Sequence, residues 1–366
     1  MTEDQPPPVA DGPIGAPREP RWALALACLP ALAVILLTGW LTGAWLPCVV
    51  ALGGAYTVGF GAYKSFAAEP LAPMLVAVFG MAFSAAVGSL LGHYPPALVL
   101  AGAVWAACCA WLFAVGNGPW WITQQWTVAL LVAGGFPGDL QQALLRSGLV
   151  LAGGLLQVLL FALLQKALYR SQWRLRTGSL KAHLHEVVLL FEDKFRLGRY
   201  GFYAATVVAL CQTLTTLLDY GHGYWAPMTA LLVLKPRLDD TWRRALGRLG
   251  GTLAGCLLAS ALVWIDNTPV ILASGCLLSA LGAYLLQDGR YSLQTIFITA
   301  TTVLMVALAG APETSIALER LGSTLLGGSV ALAFLAVEAS VRRRLRGLQR
   351  RRLRQQNPSR PSRAPR

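Results

Sequence analysis

The feature that most restricts the fold of this chain is a succession of long apolar runs with few or no charges in them. About 20 such residues cross the roughly 30 Å hydrocarbon core of a bilayer as a helix. A window of that kind recurs about six times between 22 and 167 and about six times between 201 and 338. With 55% apolar residues, only 13% charged ones and a mean hydropathy of +0.55, the 366-residue chain lies outside the range of ordinary soluble proteins. The expected fold is all-α and polytopic, with about twelve transmembrane helices that use about 240 residues. That leaves room for tails and loops but for no large soluble domain.

Charge organises the remainder. The net charge is +13, and eleven arginines with no acid follow Val341, so the preceding chain carries only about +2. Arg18, Arg21, Lys64, the basic residues of 166–199, those of 235–248, and Arg290 fall on one side of a twelve-span arrangement, together with the arginine tail. The intervening loops near 42–43, 92–94, 136–142, 219–223, 266–268 and 311–315 hold no Lys or Arg. By the positive-inside rule both termini are then cytoplasmic. The expected organisation is a disordered cytoplasmic tail over 1–21, a six-helix membrane unit over 22–167, a basic amphipathic linker over 168–200, a second six-helix unit over 201–338, and an Arg-rich cytoplasmic tail over 339–366. The first twenty residues hold six prolines and four acids against one arginine, unlike the positively charged start of a signal peptide, so the first apolar run is expected to stay in the membrane.

The two units echo each other. Gly43, Trp45 and Pro47 match Gly223, Trp225 and Pro227 at an offset of 180. Leu144, Arg146, Gly148, Leu151, Gly153 and Gly154 match Leu318, Arg320, Gly322, Leu325, Gly327 and Gly328 at an offset of 174. Because six is even, both units enter the membrane from the same side, which makes them parallel repeats about an axis along the membrane normal.

The stretch Gly223-Tyr224-Trp225-Ala226-Pro227-Met228-Thr229-Ala230-Leu231-Leu232-Val233-Leu234-Lys235-Pro236, followed by Thr241, Arg244, Arg248 and Leu249-Gly250-Gly251-Thr252-Leu253-Ala254-Gly255, resembles the signature of the fusaric acid resistance (FUSC-like) family. These are the aromatic acid exporters of bacterial inner membranes. The resemblance covers roughly 200–338, and the first unit joins it only through the repeat. Family members such as the p-hydroxybenzoate efflux pumps carry a sizeable cytoplasmic domain between their halves, where this chain has about thirty residues. What the resemblance implies is an inner-membrane efflux transporter of small organic anions of the aromatic carboxylate kind, driven by the proton gradient. A passive anion channel and a non-transporting scaffold or envelope-maintenance protein are the alternatives.

The residues themselves bear on a substrate pathway. Pro227 opens a short apolar run and frees backbone carbonyls, a pattern of helices that line a cavity, although a helix-starting proline beneath an aromatic belt fits equally. Trp45, Pro47, Tyr224, Trp225 and Pro227 are therefore pathway candidates. Arg244 and Arg248 share a helix face and suit a carboxylate, or simply set topology. Arg146 and Arg320 start equivalent spans, where a cation either snorkels to water or guides an anion, and Glu319 beside Arg320 either pairs locally or carries a proton. His222 lies in an external loop, where a histidine either senses or relays protons or is a plain loop residue. Gly247, Gly251 and Gly255, with Gly153, Gly154, Gly327 and Gly328, read as helix-packing positions.

Leu180, Leu184, Val187, Phe191 and Phe195 are spaced for an amphipathic helix over 178–197, and the arginine tail suits anionic lipid. The seven cysteines sit in apolar runs as small buried side chains, and His183 and His185 are two apart, so no metal and no cofactor are expected. No phosphate loop or nucleophile elbow occurs, and no paired acids lie within a span, so no enzyme is expected. The partners expected are the lipid bilayer and a small organic anion, with a second copy or a periplasmic adaptor open and no nucleic acid.

Overall fold

A computed structural model of the chain describes residues 21–64, 71–113, 116–169, 194–235, 238–287, 291–310 and 313–356. The described residues form thirteen α-helices and one 3-10 turn, with no strand among them. In chain order the helices are α1 (Arg21–Ala27), α2 (Leu29–Thr42), α3 (Trp45–Gly59, continued by the 3-10 turn Phe60–Tyr63), α4 (Ala72–Leu91), α5 (Pro95–Leu112), α6 (Asn117–Gly134) and α7 (Leu140–Tyr169). They continue as α8 (Lys194–Leu217), α9 (Trp225–Val233), α10 (Leu238–Ile265), α11 (Pro269–Leu285), α12 (Tyr291–Leu308) and α13 (Glu313–Gln356).

Local chemistry accounts for the punctuation. Prolines open α4, α5 and α11, where a missing N–H removes no intrahelical bond. Pro30 likewise divides α1 from α2, yet the Cys28 N–H still donates to the Leu24 carbonyl at 3.2 Å, so the two run on as one span, Trp22–Thr42. That span ends at Gly43, whose left-handed φ of +69° lets its N–H donate back to Gly39.

Among the described residues, eight segments are long and apolar enough to cross a membrane: Trp22–Thr42, Trp45–Tyr63, Ala72–Leu91, Pro95–Leu112, Leu140–Ala167, Leu238–Ile265, Tyr291–Leu308 and Ile316–Val341. The other four runs of the sequence reading are also helices, but polar residues or length hold them back. Asn117, Gln124 and Gln125 interrupt α6, Lys194, Arg196 and Arg199 begin α8, and α11 has 17 residues. Helix α9 has nine residues, about 13 Å of rise, or less than half the hydrocarbon thickness. It is nonetheless enclosed: Trp225 through Leu231 and Val233 are buried. Of the linker helix expected over 178–197, only 194–197 fall within the described residues, as the start of α8. The N-terminal tail and residues 357–366 lie outside them.

Packing runs along and between the two groups of helices. In the first group α4 packs on α6 and α7, α3 on α7, and α5 on α6. In the second, α10 packs on α12 and α13, α9 on α13, and α11 on α12. The groups interlock through α5 against α8, α9 against α6, and α11 against α1 and α2. At their junction the Tyr284 hydroxyl donates to the Tyr56 carbonyl at 2.7 Å, and both rings stand near Phe60.

Missing side chains bring backbones together at the tightest crossings. A Cβ on Gly255 would lie 2.4 Å from the Ile296 carbonyl oxygen, and one on Gly251 2.6 Å from that of Ser292. Gly153 meets the Ala51 carbonyl and Gly327 the Ala226 carbonyl just as closely, and Gly154 meets Val78. Gly247 and Gly328, by contrast, have ordinary van der Waals room. Gly255→Val should therefore lower stability by about 1–3 kcal/mol or more through overpacking, while Gly247→Ala should be neutral or stabilising. Thermal unfolding of the purified protein in detergent checks both; equal melting temperatures would mean that α10 and α12 are not in close contact.

Candidate functional site: a buried guanidinium cluster

Helices α9, α10, α12 and α13 enclose polar side chains that the surrounding packing leaves without partners. Arg320, in the second turn of α13, is 1% exposed, and its Nε and Nη1 have no hydrogen-bond acceptor among the described residues. Arg248 of α10 is 2% exposed, with its Nε equally unpartnered. The buried hydroxyls of Thr229 on α9, Tyr291 and Thr299 on α12, and Ser323 on α13 also lack partners among the described residues. Thr324 and Thr252 face each other at 3.5 Å across the α10–α13 contact. Buried polar atoms are rarely left unpaired, and an ion in a low-dielectric interior less often still. Among the described residues, two buried guanidinium groups and four buried hydroxyls on these four helices are thus left with hydrogen-bonding capacity that the packing does not use.

What Arg320 does have is an aromatic face. Its guanidinium carbon lies 4.9 Å from the centroid of Trp225, which is itself 2% exposed, and a cation above a ring gains electrostatic attraction that strengthens when water is excluded. Among ionisable groups, Arg248 acts on it most strongly, and that is another cation. Glu319 is turned away from its neighbour: its carboxylate pairs with Nδ1 of His222, both about 28–29% exposed. His222 has a left-handed backbone, φ +47°, and its ring stacks on Trp225 at 5.0 Å and 16°. Tyr224 stands edge-on to both His222 and Trp225. The sequence 219–225 thus wraps an aromatic and acid–base layer over one end of the cluster.

At the other end the chain leaves α9 in extended form at Leu234, ψ 128°, and the next residue, Lys235, precedes Pro236 and is itself disfavoured from helix. Thr241 fixes this stretch by accepting from the Lys235 N–H at 2.9 Å and donating to its carbonyl at 3.2 Å. The Tyr200 hydroxyl donates to the Leu234 carbonyl at 3.0 Å. Lys235 is 7% exposed, with its ammonium 3.8 Å from the Trp120 centroid and 4.9 Å from that of Phe113. Arg244, half-buried, lies over Tyr291 at 4.8 Å.

The residues singled out in the first group sit differently. Arg146 is half-buried, donates to the Ser89 hydroxyl and the Phe136 carbonyl, and lies 5.6 Å from the Phe136 ring. Trp45 packs against Gly39 of the preceding helix, and Pro47 is half-buried beside it in α3. The structure therefore gathers Tyr224, Trp225, Arg248, Glu319 and Arg320 around one cluster, sets Arg244 over Tyr291 at its rim, buries Pro227 within α9, and leaves Trp45, Pro47 and Arg146 apart. Thr229, Tyr291, Thr299, Ser323 and Lys235 belong to the same region and were not distinguished by the sequence reading. The available signal was a run of hydroxyl residues at helical spacing in α12 and a lysine closing an apolar run. A separate shallow apolar concavity of about 550 Å³, lined by Ala152, Leu155, Leu156, Val158, Leu159 and Ala162, is built from α7 alone.

Helices of this length and apolarity around a buried cationic centre define a multi-pass membrane protein. Within that class, residues 203–334 match the family described as "Fusaric acid resistance protein-like", so the resemblance seen in 223–255 extends through α8 to α13. The chain is 34% identical over 152 residues to an uncharacterized protein of Synechocystis, covering 41% of this chain and 19% of that one. It is 26% identical over 163 residues to the uncharacterized protein ORF2 of Neisseria gonorrhoeae (43% and 38%), and 28% identical over 145 residues to the inner membrane protein YccS of Escherichia coli (39% and 20%). The chain thus spans between about a fifth and two fifths of the length of these curated relatives. No solved structure matches it.

An unpaired buried cation is costly in the empty protein, and replacing even a buried ion pair by apolar groups of similar volume is often neutral or stabilising, by up to about 4 kcal/mol. Arg320→Met should accordingly raise the melting temperature of the purified protein by several degrees. Arg146→Met, which loses two satisfied hydrogen bonds, should lower it, by about 1 kcal/mol. A large fall on Arg320→Met would show that Arg320 is held by partners and is not awaiting one.

Proposed function

We propose that the protein is an inner-membrane carrier that exports small organic anions, with aromatic carboxylates as the substrate class and the proton gradient as the driving force. The observation that carries this reading is Arg320, fully buried with unpartnered guanidinium nitrogens and set against the face of Trp225. A carboxylate would meet charge-assisted donors from Arg320 and Arg248 and neutral donors from the orphaned hydroxyls. Its ring would find the Tyr224 and Trp225 surfaces, in the manner of sites that combine an apolar wall with a few convergent polar groups. No nucleophile–base pair lines this cluster, so binding and release are the chemistry it suits.

In this reading the chain comprises two parallel six-helix repeats, spanning 22–167 and 201–338, with both termini cytoplasmic. Support for the repeat comes from matching neighbours: α4 with α6 and α7 corresponds to α10 with α12 and α13, and α3 with α7 to α9 with α13. Support for the inner membrane comes from the name of the Escherichia coli relative and the distribution of Lys and Arg. The repeat also accounts for the lopsided site. At the offsets of 180 and 174, Thr229, Ser323 and Thr324 correspond to Val49, Leu149 and Val150, so the polar lining of the second unit is apolar in the first. One anion site per chain, in the second unit, is the consequence. Lys235 and Arg244 would face arriving anions from the cytoplasm. A second copy or a periplasmic adaptor would complete a path across the envelope.

Retention of labelled 4-hydroxybenzoate by cells with and without the protein, each with and without an uncoupler, tests the proposal. Faster loss that the uncoupler stops is expected, with Arg320→Gln reducing it at least tenfold and Arg146→Gln by no more than about twofold. An ohmic current that persists with the uncoupler would mean a channel. No loss of any aromatic acid above the empty-vector control would leave the scaffold reading.

A further inference from the structure

Lys235 has a placement that anion binding alone does not explain. It lies in the loop between α9 and α10, its N–H and carbonyl are held by Thr241 and the carbonyl of the preceding Leu234 by Tyr200, and its side chain reaches out of its own helix group to Phe113 at the end of α5 and Trp120 at the start of α6. No carboxylate comes within ion-pair distance of it among the described residues. The charged and titratable groups around it are Arg244 and Asp240 on α10, Cys109 on α5 and, behind the loop, Tyr200 on α8. One is a cation, one an acid acting at longer range, and the others are neutral. The ammonium is therefore held by two ring faces and by nothing of full opposite charge.

From this geometry we propose that Lys235 is a proton-binding site, whose charged form clamps the α9–α10 junction to the Trp120 and Phe113 rings and whose neutral form releases it. The attraction between a ring face and Lys exists only while nitrogen carries its fourth proton, because the ring quadrupole binds a cation and not an amine lone pair. Loss of that proton to water converts the hook into a neutral amine at the same position, with no other bond made or broken. Burial pushes the Lys235 pKa down to about 7, and the charge of Arg244 adds to the effect. The clamp is accordingly engaged below neutrality and disengaged above it, within the range that a bacterial cytoplasm and its surroundings sample.

The clamp ties the second group of helices to the first at the end of the bundle opposite the His222–Glu319 pair. If the export reading holds, on which this last step rests, Lys235 exchanges the coupling proton. Release of the clamp then opens the Arg320 cluster toward one side only while the amine is neutral.

The experiment is ¹⁹F NMR of purified protein with its twelve tryptophans replaced by 5-fluorotryptophan, the Trp120 signal being assigned by its loss in Trp120→Phe. In the wild type that signal should move with a midpoint near pH 7. It should be pH-independent in Lys235→Met, and fixed at its low-pH position in Lys235→Arg, whose charge does not titrate. A Trp120 signal that is flat from pH 6 to 8 in the wild type, or that still titrates in Lys235→Met, overturns the proposal. In proteoliposomes, both variants should lose 4-hydroxybenzoate accumulation driven by a pH gradient at least tenfold. Gradient-driven accumulation by Lys235→Arg at the wild-type rate overturns the coupling step. If the wild type moves no 4-hydroxybenzoate while Trp120 titrates through Lys235, the clamp stands and the export reading is what fails.

Discussion

A guanidinium kept from water inside a helical bundle, with no carboxylate among the described residues to meet it, is the constraint on which the rest of this structure depends. Removing a charge from water costs several kcal/mol even after relaxation, and the hydrocarbon around the bundle offers no relief. Arg320 is nevertheless 1% exposed. What keeps it there is close packing on all sides. Gly251 and Gly255 bring α10 against α12, and Gly327 brings α13 against α9, closely enough that no side chain intervenes. With long side chains at those positions the helices would stand apart and water or lipid headgroups would reach the cation. Trp225 then does the part of a counter-charge with its ring, and the electrostatic gain is greatest because water is excluded.

The brevity of α9 follows from the same need. A full-length apolar helix at that position would satisfy its own backbone and present only side chains to the interior. A nine-residue helix closed by an extended Leu234 instead places two chain ends within the protein, and each end brings polar chemistry. One end carries His222 and Tyr224, the other the Lys235 loop. Broken helices survive in membranes only where protein or a cavity takes up their free groups. Here Tyr200 and Thr241 do so at the Lys235 end, each with a single hydroxyl.

Much of this was legible in the sequence, and what was not has a physical reason. Helical, membrane-spanning character followed from apolar runs, because burial in lipid demands it of nearly every residue in a span. The shortness of the eighth run was visible from Pro227 and Pro236, which bracket it. The difference between Arg146 and Arg320 was not. They occupy matching places in matching patterns, and their fates are set by residues far away in the chain: Ser89 and Phe136 satisfy one, while Trp225 covers the other. A residue's burial depends on which helix lies across from it, and a single sequence does not record that. The same holds for Lys235, whose rings come from α5 and α6, more than a hundred positions earlier. Read along the chain it is one more basic residue in a cytoplasmic loop.

The two ends of α9 are built from different interactions, and the difference is consequential. At the His222 end a carboxylate and an imidazole meet directly while remaining more than a quarter exposed, so water competes for both and the pair is cheap to separate. At the Lys235 end a single cation rests on aromatic rings with water largely excluded, a contact that depends on one proton. Between them lies a cationic cluster that no carboxylate among the described residues neutralises. An anion entering that cluster would cancel the repulsion between Arg248 and Arg320 and so change the field felt at both ends of a helix only about 13 Å long. Closures that are individually weak, set on either side of a charge that is costly until filled, can respond to occupancy. A single strong buried ion pair at either end would hold that end shut regardless of what the site contained.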